Sequence, residues 1–466
     1  MAASLLITIA SWGVGWFPRN QLSMIARTGF FIEFRTDFSG VLICTAAMAI
    51  GLFWLMRCWL LARPGAGRDV PPIGALAAAW SAPLLASFPI LSRDVYSYLA
   101  QGRMLEAGKS PYTEGISALP GWFDGGPDGL WAQSPSPYGP FFLVLSRLIF
   151  NLSGGVPEIG VGLLRLVAVA GVAGCWWGTV RLSAKLGHDS QWALWAIIAN
   201  PLFLLTMVGG VHNDALMIAG VFIAFALAFS RRALLATLAL ALAVSIKPIV
   251  LVALPFLGLV LAGRDAPLRR RITWWARISA YSLGWLLLIG AVTNLWFGWL
   301  PAMFTAGSAA FPYAPVGLLG FSAGYLASVL GGSFDLVQHL VVLAFQLLAL
   351  ALVAKLALAR GYRSELRLAA WALSAVVLLS PLIQPWYILW LIAFFAISQP
   401  LSAASEKLVN WLTVLILAAV FVDQLSIEQW HSIWLVKLLG GLLCAVLLAV
   451  MLLDRPVRRQ LLGTVR

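Results

Sequence analysis

The sequence predicts an all-α polytopic membrane protein, and three observations predict it. Of 466 residues, 61% are hydrophobic and 11% charged, with a mean hydropathy of +0.91, far beyond what a soluble core uses. Apolar runs of membrane-crossing length recur along the whole chain. Between them, Lys and Arg gather in short loops, the pattern of cytoplasmic loops. The formal charge of +13 and the pI near 10.1 are therefore a matter of membrane topology, and no nucleic-acid partner is expected. Cys44, Cys58, Cys175 and Cys444 are scattered through apolar segments without CxxC spacing, so neither a zinc site nor a disulfide framework is signalled.

Residues 1–17 are apolar, lack a basic leading region and end without a small-residue cleavage site, which reads as a first span rather than a signal peptide. Residues 18–39 form a mixed loop and 40–62 a second span. Arg57, Arg63 and Arg68 then mark a cytoplasmic turn. Residues 72–91 cross outward, so 92–140 lies on the exterior face. This longest polar interruption sets Arg93, Arg103 and Lys109 against Asp94, Glu106, Glu114, Asp124 and Asp128, and is net acidic in a basic protein.

The run 138–152 is short and contains Arg147, which suits an interfacial helix on the outer leaflet better than a crossing. Crossings are then expected near 160–182, 191–209, 213–230, 233–246, 249–263 and 278–297. A second exterior loop, 298–334, carries an interfacial stretch at 317–330. Further crossings fall at 335–356, 368–384, 386–398, 408–423 and 432–453. About 14 crossings result, in one integral-membrane domain covering 1–466, with Arg455, Arg458, Arg459 and Arg466 in a cytoplasmic tail. Several runs are too short for a regular helix across a ~30 Å core, so breaks are expected around Pro201, Pro248 and Pro385.

The residues that can carry chemistry fall at the edges of these spans. Asp94 precedes a helix-like run ending at Gly108. It is read as an N-cap, as a general base at the membrane surface beside Arg93, or as both, since a helix N-terminus favours the ionised carboxylate that a base must be. His212, Asn213 and Asp214 stand between two spans, as caps or as part of the same exterior cleft; two plausible ligands make a weak case for a metal. Lys247, before Pro248, sits in apolar surroundings where an ammonium must snorkel or meet an anion, and a lipid-linked phosphate is such an anion. Most of the 22 tryptophans read as interface anchors; Trp122 and Trp131, inside the exterior loop, are candidates to line a site.

Absences narrow the function. No acidic residue lies between Asp214 and Asp265, nor between Asp265 and Asp335, which disfavours a proton-coupled transporter, and no GxxxxGK[ST] loop is present for nucleotide phosphates. One exterior carboxylate, a nearby cation and a membrane-embedded phosphate site suit sugar transfer from a lipid phosphate. The phosphate leaves as an anion, so only the incoming hydroxyl needs a base and paired carboxylates are unnecessary.

The segments SRDVYSYLAQG (92–102), SPYTEG (110–115), ALPGWF (118–123), SPSPYGPFF (134–142), GVHNDALM (210–217) and IKP (246–248) resemble the polyprenol-phosphate-mannose-dependent α-1,6-mannosyltransferases of the MptB type, GT-C glycosyltransferases of actinobacterial lipoglycan synthesis. The resemblance implies a multi-span GT-C fold in the plasma membrane with an exterior active site. It also implies a polyprenyl-phosphate mannose donor, a lipid-linked mannan acceptor and an inverting α-1,6 transfer; no cofactor is assigned. Carried over, the family's first-loop acid falls on Asp94 as catalytic base. Arg93, Tyr138, His212, Asn213, Asp214 and Lys247 fall where donor or phosphate contacts are expected. Tyr98, Arg103, Trp122, Trp131, Gln384 and Trp386 are the expected acceptor and sugar contacts. The competing readings are another lipid-phosphate-sugar glycosyltransferase and a lipid-linked sugar flippase or polysaccharide ligase.

Overall fold

The computed structural model describes residues 1–65, 69–306, 314–398 and 401–463, all helix, turn and loop; Arg68 and Arg466 lie outside the described residues. In chain order the helices begin with α1 (Ala2–Val14), α2 (Gly29–Thr36), α3 (Phe38–Leu61), α4 (Ile73–Leu84), α5 (Asp94–Glu106), α6 (Pro140–Leu152) and α7 (Pro157–Leu186). Next come α8 (Ser190–Ile197), α9 (Pro201–Leu204), α10 (Asp214–Phe229), α11 (Ala233–Val244), α12 (Leu254–Ala262), α13 (Leu268–Thr293) and α14 (Trp299–Ala306). The last third holds α15 (Pro315–Val329), α16 (Phe334–Ala357), α17 (Glu365–Leu378), α18 (Tyr387–Ser398), α19 (Ala403–Asp423), α20 (Ile433–Leu453) and α21 (Arg455–Leu462).

A helix overlaps each stretch expected to cross, yet among the described residues six helices are long and apolar enough to do so unaided: α3, α7, α13, α16, α19 and α20. The protein is thus a multi-pass membrane protein with fewer full-length spans than the fourteen expected. The difference has a physical cause. Pro201 stops α8, and the chain resumes as α9 and a π-helical turn, Leu205–Gly209, bent by 57° from α8. Pro248 opens a 3-10 stretch, Pro248–Ala253, ahead of α12, and Pro385 lies in the gap between α17 and α18. Backbone freed at such breaks is tolerated at membrane depth only inside protein. Accordingly α8 to α10 and α12 are deeply buried.

Close packing holds this interior. Gly171, Gly174 and Gly178 give α7 a smooth face, and a Cβ on Gly171 would come within 2.6 Å of the Leu216 backbone nitrogen on α10. Small residues are what let two membrane helices approach this closely. Trp59 of α3 and Trp195 of α8 stack at 4.9 Å, each indole N–H donating to the other's carbonyl at 2.9 and 2.8 Å. The tryptophans therefore divide: Trp59, Trp195, Trp386 and Trp390 are core residues, while Trp54, Trp176, Trp371 and Trp434 are exposed and suit the interface role.

Candidate functional site

Asp94 is the first residue of α5, and its carboxylate caps nothing. The N-cap position belongs to Arg93, which makes no side-chain cap, and the Asp94 backbone N–H is satisfied by Ser92 Oγ at 3.1 Å. The capping reading of Asp94 is corrected accordingly: the Ser92 hydroxyl meets that N–H and also bonds the carboxylate, which itself caps no backbone group. Asp214 is likewise the first residue of α10, behind Asn213, whose side chain makes no cap either.

Two left-handed turns aim these segments. Leu91 (φ 62°) precedes the Asp94 segment and Val211 (φ 58°) precedes His212, a costly conformation for a β-branched residue such as Val211. The turns are tied together, since Ile90 N–H donates to the Gly209 carbonyl at 3.4 Å. A buried arginine on α7 clamps both. Arg165 is 5% exposed and donates to the carbonyls of Leu85 at 2.8 Å, Val208 at 3.1 Å and Gly209 at 3.3 Å. These are carbonyls that broken helices leave without an intrahelical partner.

The result is a cluster of charged side chains. Lys247 Nζ donates to Asp214 Oδ1 at 2.6 Å, and Trp390 Nε1 donates to the same oxygen at 2.8 Å. His212 Nδ1 stands 3.6 Å from Asp214 Oδ2 and 3.9 Å from Asp94 Oδ2, too long for hydrogen bonds, while its ring packs on Trp386 at 4.2 Å between centroids. Asn213 beside it is buried. The anion that Lys247 needs is thus built into the protein. The ammonium also lies 5.3–5.8 Å from the rings of Trp390, Tyr387 and Tyr138, a cation–π setting.

The SPYGP motif and the lysine motif are one structure. Gly139 N–H donates to the Ile246 carbonyl and Phe142 N–H to the Ser245 carbonyl, both at 3.1 Å, so the SPYGP segment is pinned to the backbone leading into Lys247. Gly139 is required here because a Cβ would collide with the Ser245 backbone.

A cavity of about 200 Å³ opens on this cluster. Asp94, Trp131, Tyr138, Lys247, Gln384 and Trp386 all line it, with His212 and Asp214 directly behind. Tyr98 is buried beneath, its ring edge-on to Tyr138 and Phe142. Three expected contacts are not brought there. Arg93 pairs with Asp128 at 3.1 Å and lies over the Trp16 ring. Arg103 and Trp122 line a separate cavity of about 50 Å³ with Asn20 and Tyr96, and Arg103 donates to the Pro120 carbonyl at 2.9 Å. Sequence reading also missed Ser97, Gln101, Tyr387 and Trp390. A spacing of three and seven from Asp94 on α5 was the available signal for the first two, and Arg165 was visible as an arginine inside an apolar run.

Burial raises the Asp94 carboxyl to about 6, with Lys247 opposing and Asp128 and Asp214 adding to the rise. A carboxylate held there, beside a cation and facing a cavity, is matched to proton abstraction near neutral pH.

Broken helices and a mainly apolar cavity with a carboxylate and a lysine in its wall suit a membrane-embedded enzyme. The chain belongs to the family described as alpha-(1->6)-mannopyranosyltransferase, N-terminal domain, which it matches over residues 1–263. It is 29% identical over 429 residues to alpha-(1->6)-mannopyranosyltransferase A of Mycobacterium tuberculosis, covering 87% of this chain and 80% of that protein. A probable alpha-(1->6)-mannopyranosyltransferase of Mycolicibacterium smegmatis is 32% identical over 352 residues, 67% of this chain and 62% of its own. Alpha-(1->6)-mannopyranosyltransferase A of Corynebacterium glutamicum is 37% identical over 174 residues, 37% of this chain and 36% of its own. The chain is a hexosyltransferase, as the resemblance of its motifs implied.

Proposed function

We propose that this protein transfers mannose from polyprenyl-phosphate mannose to a hydroxyl of a lipid-linked mannan, forming an α-1,6 linkage with inversion in lipoglycan synthesis. The chain acts as one GT-C domain in the plasma membrane, its cavity opening on the exterior face. Asp94 takes the proton of the acceptor's 6-hydroxyl as that oxygen attacks the anomeric carbon. The bond between that carbon and the phosphate oxygen breaks, and its electrons leave with the phosphate. Lys247 faces the departing charge, while Asp214 and Trp390 hold its ammonium in place. Asp214 makes Lys247 a charge-compensated contact, so the phosphate is met by an oriented ammonium rather than by a bare buried cation.

The observation that supports this reading most is that Asp94, which caps no helix, lines the same cavity as Lys247. The likeness to mannopyranosyltransferases over most of the chain supports the sugar. Purified protein incubated with labelled polyprenyl-phosphate mannose and, separately, with a labelled nucleotide sugar tests it. Transfer to a short α-1,6 mannan from the lipid donor alone is expected; transfer from the nucleotide sugar alone overturns it.

A further inference from the structure

The wall of the cavity formed by α5 carries polar side chains that proton abstraction and phosphate departure leave unused. Asp94, Ser97 and Gln101 all line the cavity. Spaced by three and four residues, they stand one above another on one helix face, in a row of about 10 Å at 1.5 Å per residue. Ser97 is 5% exposed and Gln101 6%, yet Ser97 Oγ and Gln101 Oε1 have no hydrogen-bond partner among the described residues. Helical serines commonly bond back to the carbonyl four residues earlier, as Ser374 does to Ala370 at 2.8 Å and Ser81 to Ala77 at 2.8 Å. Ser97 does not. On the facing wall Trp386 Nε1 is also buried without a partner. Buried polar atoms are paired as a rule, so this concentration around one cavity calls for a ligand rich in hydroxyls.

The chemistry of the row says which end of the reaction it serves. Its first member is a carboxylate, which repels a phosphate, while Ser97 and Gln101 are neutral groups that both donate and accept. Lys247 is the cation that lines the cavity and draws the phosphate to itself. A neutral polyol whose hydroxyls both donate and accept fits the α5 row. The hydroxyl that Asp94 deprotonates belongs to the acceptor, and the side chains stacked behind Asp94 on the same helix face meet the same sugar ring.

We propose that Ser97 and Gln101 form the subsite for the ring hydroxyls of the acceptor's terminal hexose, fixing which of its hydroxyls reaches Asp94. This rests on the glycosyl-transfer reading of the cavity. Each neutral hydrogen bond to a sugar hydroxyl is worth about 2- to 12-fold in affinity.

The test uses full-length purified protein, labelled polyprenyl-phosphate mannose and a short α-1,6-linked mannan. Ser97→Ala and Gln101→Leu are expected to raise KM for the mannan about 3- to 10-fold each while KM for the lipid donor stays unchanged. Ser97→Thr, which keeps the hydroxyl, retains the wild-type value. A 6-deoxy acceptor, unreactive but intact in the ring hydroxyls Ser97 and Gln101 would hold, inhibits wild type and loses potency in both variants. Raised donor KM with unchanged acceptor KM overturns the assignment, as do unchanged kinetics in folded variants. If wild type uses a nucleotide sugar instead, the lipid-donor reading fails, and the same acceptor KM split, measured with that sugar, still decides the subsite.

Discussion

The interior helices α8 to α12 and the peripheral helices α13 and α16 all contain apolar runs, those of α10 to α12 more apolar than α13, yet they do opposite things. The apolar windows of α13 and α16 are only 22% and 17% buried: long, unbroken rods whose side chains mostly face outward. The interior helices are short and interrupted at Pro201 and Pro248, and apart from α11, which turns Leu234 and Leu235 outward, they are mostly buried. An unbroken helix satisfies its own backbone and needs nothing from its neighbours. A broken one exposes carbonyls and N–H groups that must be met by Arg165 or neighbouring backbone, and it can carry charged side chains at its ends. Hydropathy measures the first kind of helix; the ends of the second kind carry the buried Asp214–Lys247 pair.

The comparison breaks most visibly at the ion pair. Lys247→Met leaves Asp214 charged and buried without its partner, and a loss of about 3–5 kcal/mol is expected, read as thermal unfolding in detergent. Lys247→Met combined with Asp214→Asn, which still accepts from Trp390, restores most of that stability but not activity. Equal stability of single and double variants would show that the pair does not hold the interior together. Truncation sharpens the contrast: Phe222→Ala, at 0% exposure on α10, costs about 3–5 kcal/mol. Gly139→Ala pushes the SPYGP segment off the backbone before Lys247 and costs about 1–3 kcal/mol of overpacking, with transfer activity falling further than stability. Wild-type activity in that variant would mean the two motifs need not touch.

How far the sequence revealed all this depends on the range of the interactions. Proline breaks and helix positions are local, and Pro201, Pro248 and Pro385 were placed correctly as interruptions. Asp94, Lys247, Tyr138, Trp131, Gln384 and Trp386 were singled out separately from charge, position and resemblance, and they meet in one cavity. The partners were not legible. Asp214 was read as a cap or a donor contact, and its bond to Lys247, 33 residues away, depends on how α10 and α11 fold back on each other. Arg103 shares α5 with Asp94 but points to the second cavity, because a helix turns its face within two residues. Arg93 is adjacent to Asp94 in sequence and is held instead by Asp128 and Trp16.

Smaller effects follow from titration and from the periphery. With the Asp94 carboxyl raised to about 6 by burial, the base is ionised above that pH and protonated below it. The value of kcat/KM should therefore fall about tenfold per unit as pH drops below 6, and the residual rate of Asp94→Asn should lack this limb. A limb unchanged in that variant would assign the titration to another group. Smallest of all, Leu350→Ala on α16, where the side chain is 63% exposed, should stay within about 0.5 kcal/mol of wild type. A loss as large as that of Phe222→Ala would erase the distinction between rods and broken interior.

The central claim is that Asp94 acts as the base, and Asp94→Asn tests it most directly. The substitution keeps shape and removes the basic oxygen; because the carboxylate caps no backbone N–H, folding should barely change. The measurement is single-turnover mannosyl transfer from polyprenyl-phosphate mannose to α-1,6 mannan, with Arg93→Ala alongside to separate loss of charge near Asp128 from loss of the base. The account predicts a fall of about 10²–10⁴ in the rate of transfer for Asp94→Asn, donor affinity little altered, and a much smaller effect for Arg93→Ala. Transfer by folded Asp94→Asn protein at near wild-type rate would contradict it and send the search for the base to Asp214, Asp124 and Asp128.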